Sequence, residues 1–379
     1  MNQNRTNRTR LNHLARTAMY RLVTAAAALF GVLGTAVAQE PIRIGIVLPL
    51  SGANGEYVKQ YMVAATEFAV KETNDKGGVL GRRVLLTSED SRNDPAGAVS
   101  ALRKLADVDK VLAVFTGFTP LTLPQLPVAE EKKILVMAPS TEHPDLTKSR
   151  WAVRMTPTAD KTGIKAAQLA AGLGLKTAAV IAEDNEAIRV SERAFRAEFE
   201  KGGGKVVGSE TFKATDTDVR GQLTKLRASR PDTLWIIASS GRPTALVIKQ
   251  LSEVGFKPKQ ILANHLIEDK EVRAVGAATV EGVIYTTLRV DPAFARRFKA
   301  AYGYDPDANV GKHYDSTMLL FEAIRRSGST DPEKVRDAIY NYGEYKGVLG
   351  SFRFSGSGEP GVLPSAKMIK GGQYVDYDK

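Results

Sequence analysis

From residue 42 onward the chain alternates short apolar runs with longer stretches in which apolar positions recur at helical spacing. The runs predict strands at 42–48, 83–90, 111–116, 134–138, 177–182, 205–212, 233–238, 260–263 and 282–288. Most are unbroken Val/Ile/Leu/Ala sequences, the pattern of parallel strands covered on both faces. The intervening stretches read as helices. Three of them open on an Asp-Pro pair, Asp94-Pro95, Asp291-Pro292 and Asp331-Pro332, where Asp can cap free amides and Pro suits the first turn. Such alternation predicts doubly wound α/β sheets.

A chain of 379 residues is too long for one ordinary core. The composition changes near 154–162, "RMTPTADKT", and the strand-helix alternation restarts at Thr177, which divides the chain into two α/β lobes of similar build. Ligands of open α/β sheets sit beyond the carboxyl ends of the strands, so the informative loops follow Leu48, Thr116, Ala138, Ala182, Ala238 and Ala263.

The first 38 residues do not belong to this pattern. Arg5, Arg8, Arg10, Arg16 and Arg21 form a basic region without an acid, 22–37 is apolar and Ala-rich, and Ala36-Val37-Ala38 has the small-x-small form of a cleavage site. These features predict a secretory signal cleaved after Ala38 and a periplasmic location. Loss of five Arg and no acid takes the formal charge from +11 to +6. The remaining basic residues form no block, which argues against nucleic acid as a partner. The chain has no cysteine, so an exported product forms no disulfide and carries no lipid-modified Cys.

The turn Ser51 to Gly55 after the first strand raises the question of phosphate binding. Gly52 and Gly55 give neither G-x-G-x-x-G nor a G-K-[ST] ending, so no nucleotide site is supported. A helix N-terminus still favours an anion, carboxylate included. Catalytic patterns are scarce. The four histidines, His13, His143, His265 and His313, make no H-x-x-x-H or H-E-x-x-H motif, and no G-x-S-x-G elbow occurs. The expectation is a non-enzyme without cofactor or metal.

Four stretches, "IRIGIVLPLSGANGEY", "AVKETNDKGGVLGRRVLLTSEDSRNDPAGAVSALRKL", "ILVMAPSTEHPDLT" and "LTKLRASRPDTLWIIASSGRPTALVIKQLSEVG", together resemble the leucine/isoleucine/valine-binding family of periplasmic solute-binding proteins that serve ABC importers. The resemblance spans nearly all of the chain after the export segment. It implies two Rossmann-like lobes joined by three crossing strands, the type I periplasmic-binding fold, closing on a ligand. The crossings would fall near Arg154 to Thr158, Tyr285 to Val290 and Lys346 to Phe354. The first lobe would comprise 39–157 and 288–345, the second 158–287 and 346–379.

By the same resemblance, Tyr57 matches an aromatic of the pocket, Thr119 a Ser that meets the ligand carboxylate, and Ser140, Thr141 and Glu142 a short A-A-T stretch that binds both ends of an amino acid. Phe118 neighbours this set, and Asn185 is the candidate of the second lobe in "IAEDNEAIRVSE", which lacks the family's usual Tyr near Ala187. Each has an alternative role: Tyr57 as lobe packing, Phe118 as core, Thr119 and Thr141 as helix caps. The sequence also departs from the family. His265 stands where amino-acid binders place an amine-pairing Glu, Glu142 stands where they place a Thr, and Asn93 stands where they place one Cys of a pair.

A buried ammonium needs an anionic or carbonyl partner, which His265 does not supply. Either Glu142 takes over the amine of an amino acid, or the ligand lacks an α-amine and His265 donates to it; an amine-free aromatic or short-chain carboxylate is favoured. A one-residue slip of the match would turn Thr141 rather than Glu142 inward. The expected partners are this small organic anion and an inner-membrane ABC permease, with the protein itself monomeric. A sensory module acting with a separate signalling protein and an exported α/β enzyme are the alternatives. A self-contained sensor would need an attached signalling or membrane segment, which "GGQYVDYDK" does not supply, so sensing would run through the separate partner; the enzyme would need a nucleophile or metal cluster.

Overall fold

The structure, a computed structural model, describes residues 39–52, 54–354, 356–362 and 364–378. The expected export segment 1–38 and its cleavage point lie outside the described residues. Residues from Pro41 onward form one compact unit.

Its first sheet contains β1 (Ile42–Leu48), β2 (Val84–Asp90), β3 (Ala113–Gly117), β4 (Leu135–Ser140) and β5 (Ala152–Arg154), all parallel, in the order β2-β1-β3-β4-β5. The second sheet repeats this winding with β6 (Thr177–Glu183), β7 (Lys205–Phe212), β8 (Thr233–Ile237), β9 (Gln260–Asn264) and β10 (Ile284–Thr287) in the order β7-β6-β8-β9-β10. A small hairpin, β11 (Gly343–Gly347) and β12 (Gly350–Phe354), stands apart from both. Two further strands, β13 (Ser365–Lys370) and β14 (Gln373–Asp376), add antiparallel to the β10 edge.

Burial on both faces explains the unbroken apolar runs. In β8, Leu234 and Ile236 pack into one core cluster while Trp235 and Ile237 pack into another. The three Asp-Pro helices form as expected. Asp94 accepts from the Gly97 amide, Asp291 from Phe294 and Asp331 from Lys334, each satisfying an amide that the helix leaves unpaired. The stretch after Gly55 is less regular than an unbroken α-helix, because a π-helical turn, Val58–Val63, separates Gly55–Tyr57 from Ala64–Asp75.

The chain passes between the sheets three times, at 155–158, at 288–291 and between the end of β12 at Phe354 and the start of β13 at Ser365. The third passage corrects the expected boundary. Tyr345, Leu349, Phe352, Phe354 and Val362 belong to the core of the first lobe, so the hairpin that includes Lys346 to Phe354 stays with the first lobe. The hairpin is held there by Asp315, whose carboxylate accepts from the amides of Val348 (2.8 Å) and Leu349 (2.9 Å). Beyond it the chain runs so close to β5 that a Cβ on Gly358 would lie 2.1 Å from the Ala152 carbonyl oxygen. The chain joins the second sheet only at Ser365.

Candidate functional site

Between the two sheets lies a narrow, partly open cleft. Its walls come from four strand ends, from two helices, one of which supplies Thr162, and from Pro364 on the third passage. Glu142 follows β4, Thr156 and Pro157 follow β5, His265 follows β9, and Thr286 to Leu288 close β10. Ala308 and Lys312 are supplied by the helix Ala308–Ser327. The site therefore sits beyond the carboxyl ends of strands, on the side where the chain crosses between lobes rather than at the β1/β3 switch point.

Lys312 is the central charge. Asp307 caps its helix by accepting from the Val310 amide, which places Lys312 one turn into the helix and 3 % exposed. Its Nζ stands 3.8 Å from Glu142 Oε1, and the Glu142 side chain is only partly buried. Burial pushes the ammonium below its ordinary value, while Glu142 and Asp307 hold it up. Across the cleft, burial lowers His265 well below the usual imidazole range, and Lys312 adds to the effect. The imidazole is therefore neutral near pH 7, with one donor and one acceptor nitrogen.

Two hydroxyls of the cleft, Thr156 Oγ1 and Thr286 Oγ1, are a separate feature. Both residues are at most 2 % exposed, both line the cleft, and neither hydroxyl has a hydrogen-bond partner among the described residues.

The loop carrying Glu142 is braced from behind. Fully buried Arg154 donates to the carbonyls of Thr141 (2.6 Å) and His143 (2.7 Å) and to Glu359 Oε2 (2.8 Å). The Glu142 carbonyl accepts from the Ala159 amide at 2.9 Å, the first residue of the helix Ala159–Gly172. That helix packs tightly on its neighbour: a Cβ on Gly163 would lie 2.0 Å from the Ser191 carbonyl oxygen.

Of the residues singled out in the sequence, Glu142 and His265 are brought together on the cleft wall. Ser140 reaches toward the same helix, with its hydroxyl 3.3 Å from Asn309 Oδ1 and 3.4 Å from His313 Nε2. Tyr57 donates to Asp307 and accepts from Asn309 (2.8 Å). Burial and the nearby Asp307 carboxylate push its hydroxyl well above its ordinary value, so it remains a donor that supports the start of the helix carrying Lys312. The remaining candidates do not line this cleft. Thr141 is buried, its hydroxyl bonded to Thr122 at 2.8 Å. Phe118 packs on the first core with a positive φ of 67°. Thr119 follows it in the first helical turn and caps nothing. Asn185 caps the helix Glu186–Lys201 by accepting from Ala187. Among the described residues of the turn, Ser51, Gly52, Asn54 and Gly55 do not line this cleft.

Sequence reasoning missed Lys312, Thr156 and Thr286. The available signal was Lys312-His313 embedded in "ANVGKHYDSTMLLFEAIRR", a helix most of whose residues are buried.

Two doubly wound lobes enclosing a polar cleft at their crossing strands define a binding protein of the type I periplasmic class. The chain belongs to the periplasmic binding protein family, whose model matches residues 41–364. Among similar proteins, the Leu/Ile/Val-binding protein homolog 1 of Brucella suis is 28% identical over 342 residues, covering 87% of this chain and 90% of that protein. A leucine-binding protein structure from Thermotoga maritima superposes with a TM-score of 0.81 at 26% identity, over 89% of this chain and 98% of that one. A solute-binding protein of an ABC transporter from R. palustris, solved with benzoate, gives 0.79 at 20% identity, over 89% and 95% of the two chains. At that identity the likeness is one of fold.

Proposed function

We propose that this protein captures a small carboxylate, preferentially one without an α-amine, between its lobes, and delivers it to the permease of an ABC importer without transforming it. The observation that carries the reading is buried Lys312. An ammonium held out of water needs a full negative partner, and Glu142 at 3.8 Å is a loose one, beyond hydrogen-bond distance. A ligand carboxylate at Lys312 would supply charge-assisted hydrogen bonds. Neutral His265 offers a donor opposite it and no negative charge for an amine.

Glu142 supports a second reading, in which a zwitterionic amino acid places its carboxylate on Lys312 and its ammonium on Glu142. Relatives and neighbours named for both kinds of ligand share the fold, leucine in one and benzoate in another, so the choice rests on this chain's own residues. In either case the chain works from the periplasm as a monomer, after an export segment is removed following Ala38.

A thermal-shift screen of the purified protein against benzoate, aliphatic carboxylates, amides and amino acids tests the proposal. A ligand at a hundred times its Kd adds about 2.7 kcal/mol of stability. Stabilisation by amine-free carboxylates is expected; stabilisation by leucine-like amino acids alone would overturn the amine-free preference.

A further inference from the structure

Hydroxyls at nearly zero exposure are seldom left unpaired, because a buried polar group without a partner costs about 1–3 kcal/mol. Here two such groups, Thr156 Oγ1 and Thr286 Oγ1, line one cleft. They come from different passages of the chain. Thr156 follows β5 on the first passage, and Thr286 lies in β10 just before the second. Neither hydroxyl caps a helix or has another partner among the described residues. Other buried threonines of the same molecule are satisfied within it: Thr122 and Thr141 bond each other, and Thr317 donates to the His313 carbonyl at 2.7 Å.

We infer that Thr156 and Thr286 form a second polar subsite in the cleft, which reads a neutral oxygen substituent, a hydroxyl or carbonyl, on the ligand whose carboxylate Lys312 holds. This rests on the carboxylate reading above and narrows it to hydroxy- or oxo-substituted acids. The substituent is neutral because these two groups are hydroxyls and carry no charge. Lys312 is the cation of the wall, and the buried guanidinium behind it, Arg154, is committed to Glu359 and to two carbonyls. A hydroxyl both donates and accepts, so two threonines can pair with either an alcohol or a ketone. A site built for such a group discriminates against the analogue lacking it, because its own polar atoms are then left unpaired.

The test uses matched pairs of probes in calorimetric titration: benzoate with its meta- and para-hydroxy derivatives, and isocaproate with its α-hydroxy and α-oxo derivatives. At least one substituted acid is expected to bind about tenfold or more tightly than its parent, the scale of one well-placed neutral hydrogen bond. Thr156→Val and Thr286→Val keep shape and remove the hydroxyl, and should collapse this ratio toward one. Thr156→Ser and Thr286→Ser retain the hydroxyl and should restore it, separating lost recognition from disturbed packing. A ratio near one in the unmodified protein, or one that survives both Val substitutions, overturns the subsite while leaving the carboxylate reading intact. Failure of every acid in the panel to bind overturns both.

Discussion

Lys312 is held where a charge is expensive, 3 % exposed with one loose partner. A residue kept for binding at a cost to stability leaves a recognisable signature when it is replaced. Lys312→Met should weaken carboxylate binding by about a hundredfold, the scale of a buried charge-assisted contact. The melting temperature of the unliganded protein should be unchanged or raised. Loss of both affinity and stability would make Lys312 a structural residue. Its neighbour His313 yields a separate expectation. Burial, with Lys312 adding, pushes its imidazole down to about 3, against about 6.5 in the unfolded chain. A depressed histidine contributes stability that is fully present above the unfolded value and is lost as pH falls from there toward the folded one. The buried carboxyls of Asp307 and Asp315 are raised by desolvation and act in the opposite sense. The clean readout is therefore the difference between proteins: His313→Gln should lose less melting temperature between pH 7 and pH 4 than the unmodified chain. Equal losses would show that His313 is not kept neutral by the fold.

At the scale of elements, the parallel strands and the Asp-Pro helices were legible because each carries a local signal: an apolar run covered on both faces, or a cap and a proline in fixed order. β5 is only three residues long, and β11 and β12 alternate exposed and buried positions on a hairpin whose attachment depends on distant Asp315. No local pattern announces such pieces, and so the third crossing was expected too early. The site was legible in part for the same reason. Glu142 and His265 follow strand ends, where the topology rule directs attention; Lys312 lies inside a helix, and Thr156 and Thr286 acquire meaning only from the partners they lack.

The contact that assembles these pieces is Arg154. It ties the Glu142 loop to Glu359 on the third passage, and Lys161 of the second lobe stands 3.8 Å from the same Glu359. Arg154→Lys keeps a charge but cannot span three acceptors in the planar geometry of a guanidinium. It should destabilise the protein by about 3 kcal/mol, the scale of breaking a buried ionic contact, as measured by urea unfolding. A loss below about 1 kcal/mol would mean that the loop is held by other contacts, such as the Ala159 amide.

For the whole molecule, ligand affinity depends on how much of the protein is already in the state that contacts the ligand from both sides. Only that state is selected by binding, and the apparent Kd is the intrinsic one divided by its population. The present arrangement has a visible fastening between lobes away from the cleft. Glu56, at the start of the first lobe's opening helix, pairs with Lys270 of the second lobe at 3.6 Å, and Tyr61 lies within the influence of Arg273. Both members of the ion pair are half or more exposed, so the pair contributes less than about 1 kcal/mol and weakens with salt. That small term biases closure without dominating it. Reversing its sign with Lys270→Glu sets two carboxylates against each other and should raise the apparent Kd about threefold to tenfold. The combined Glu56→Lys, Lys270→Glu exchange should recover most of the loss. Because neither residue lines the cleft, the effect should be similar for every ligand and should shrink at high salt. Small-angle scattering should show the unliganded Lys270→Glu protein with the larger radius of gyration and both proteins converging when saturated. A Kd that is indifferent to the reversal at low salt would show that closure is set inside the cleft, by Lys312 and the groups around it, and that the outer pair merely accompanies it.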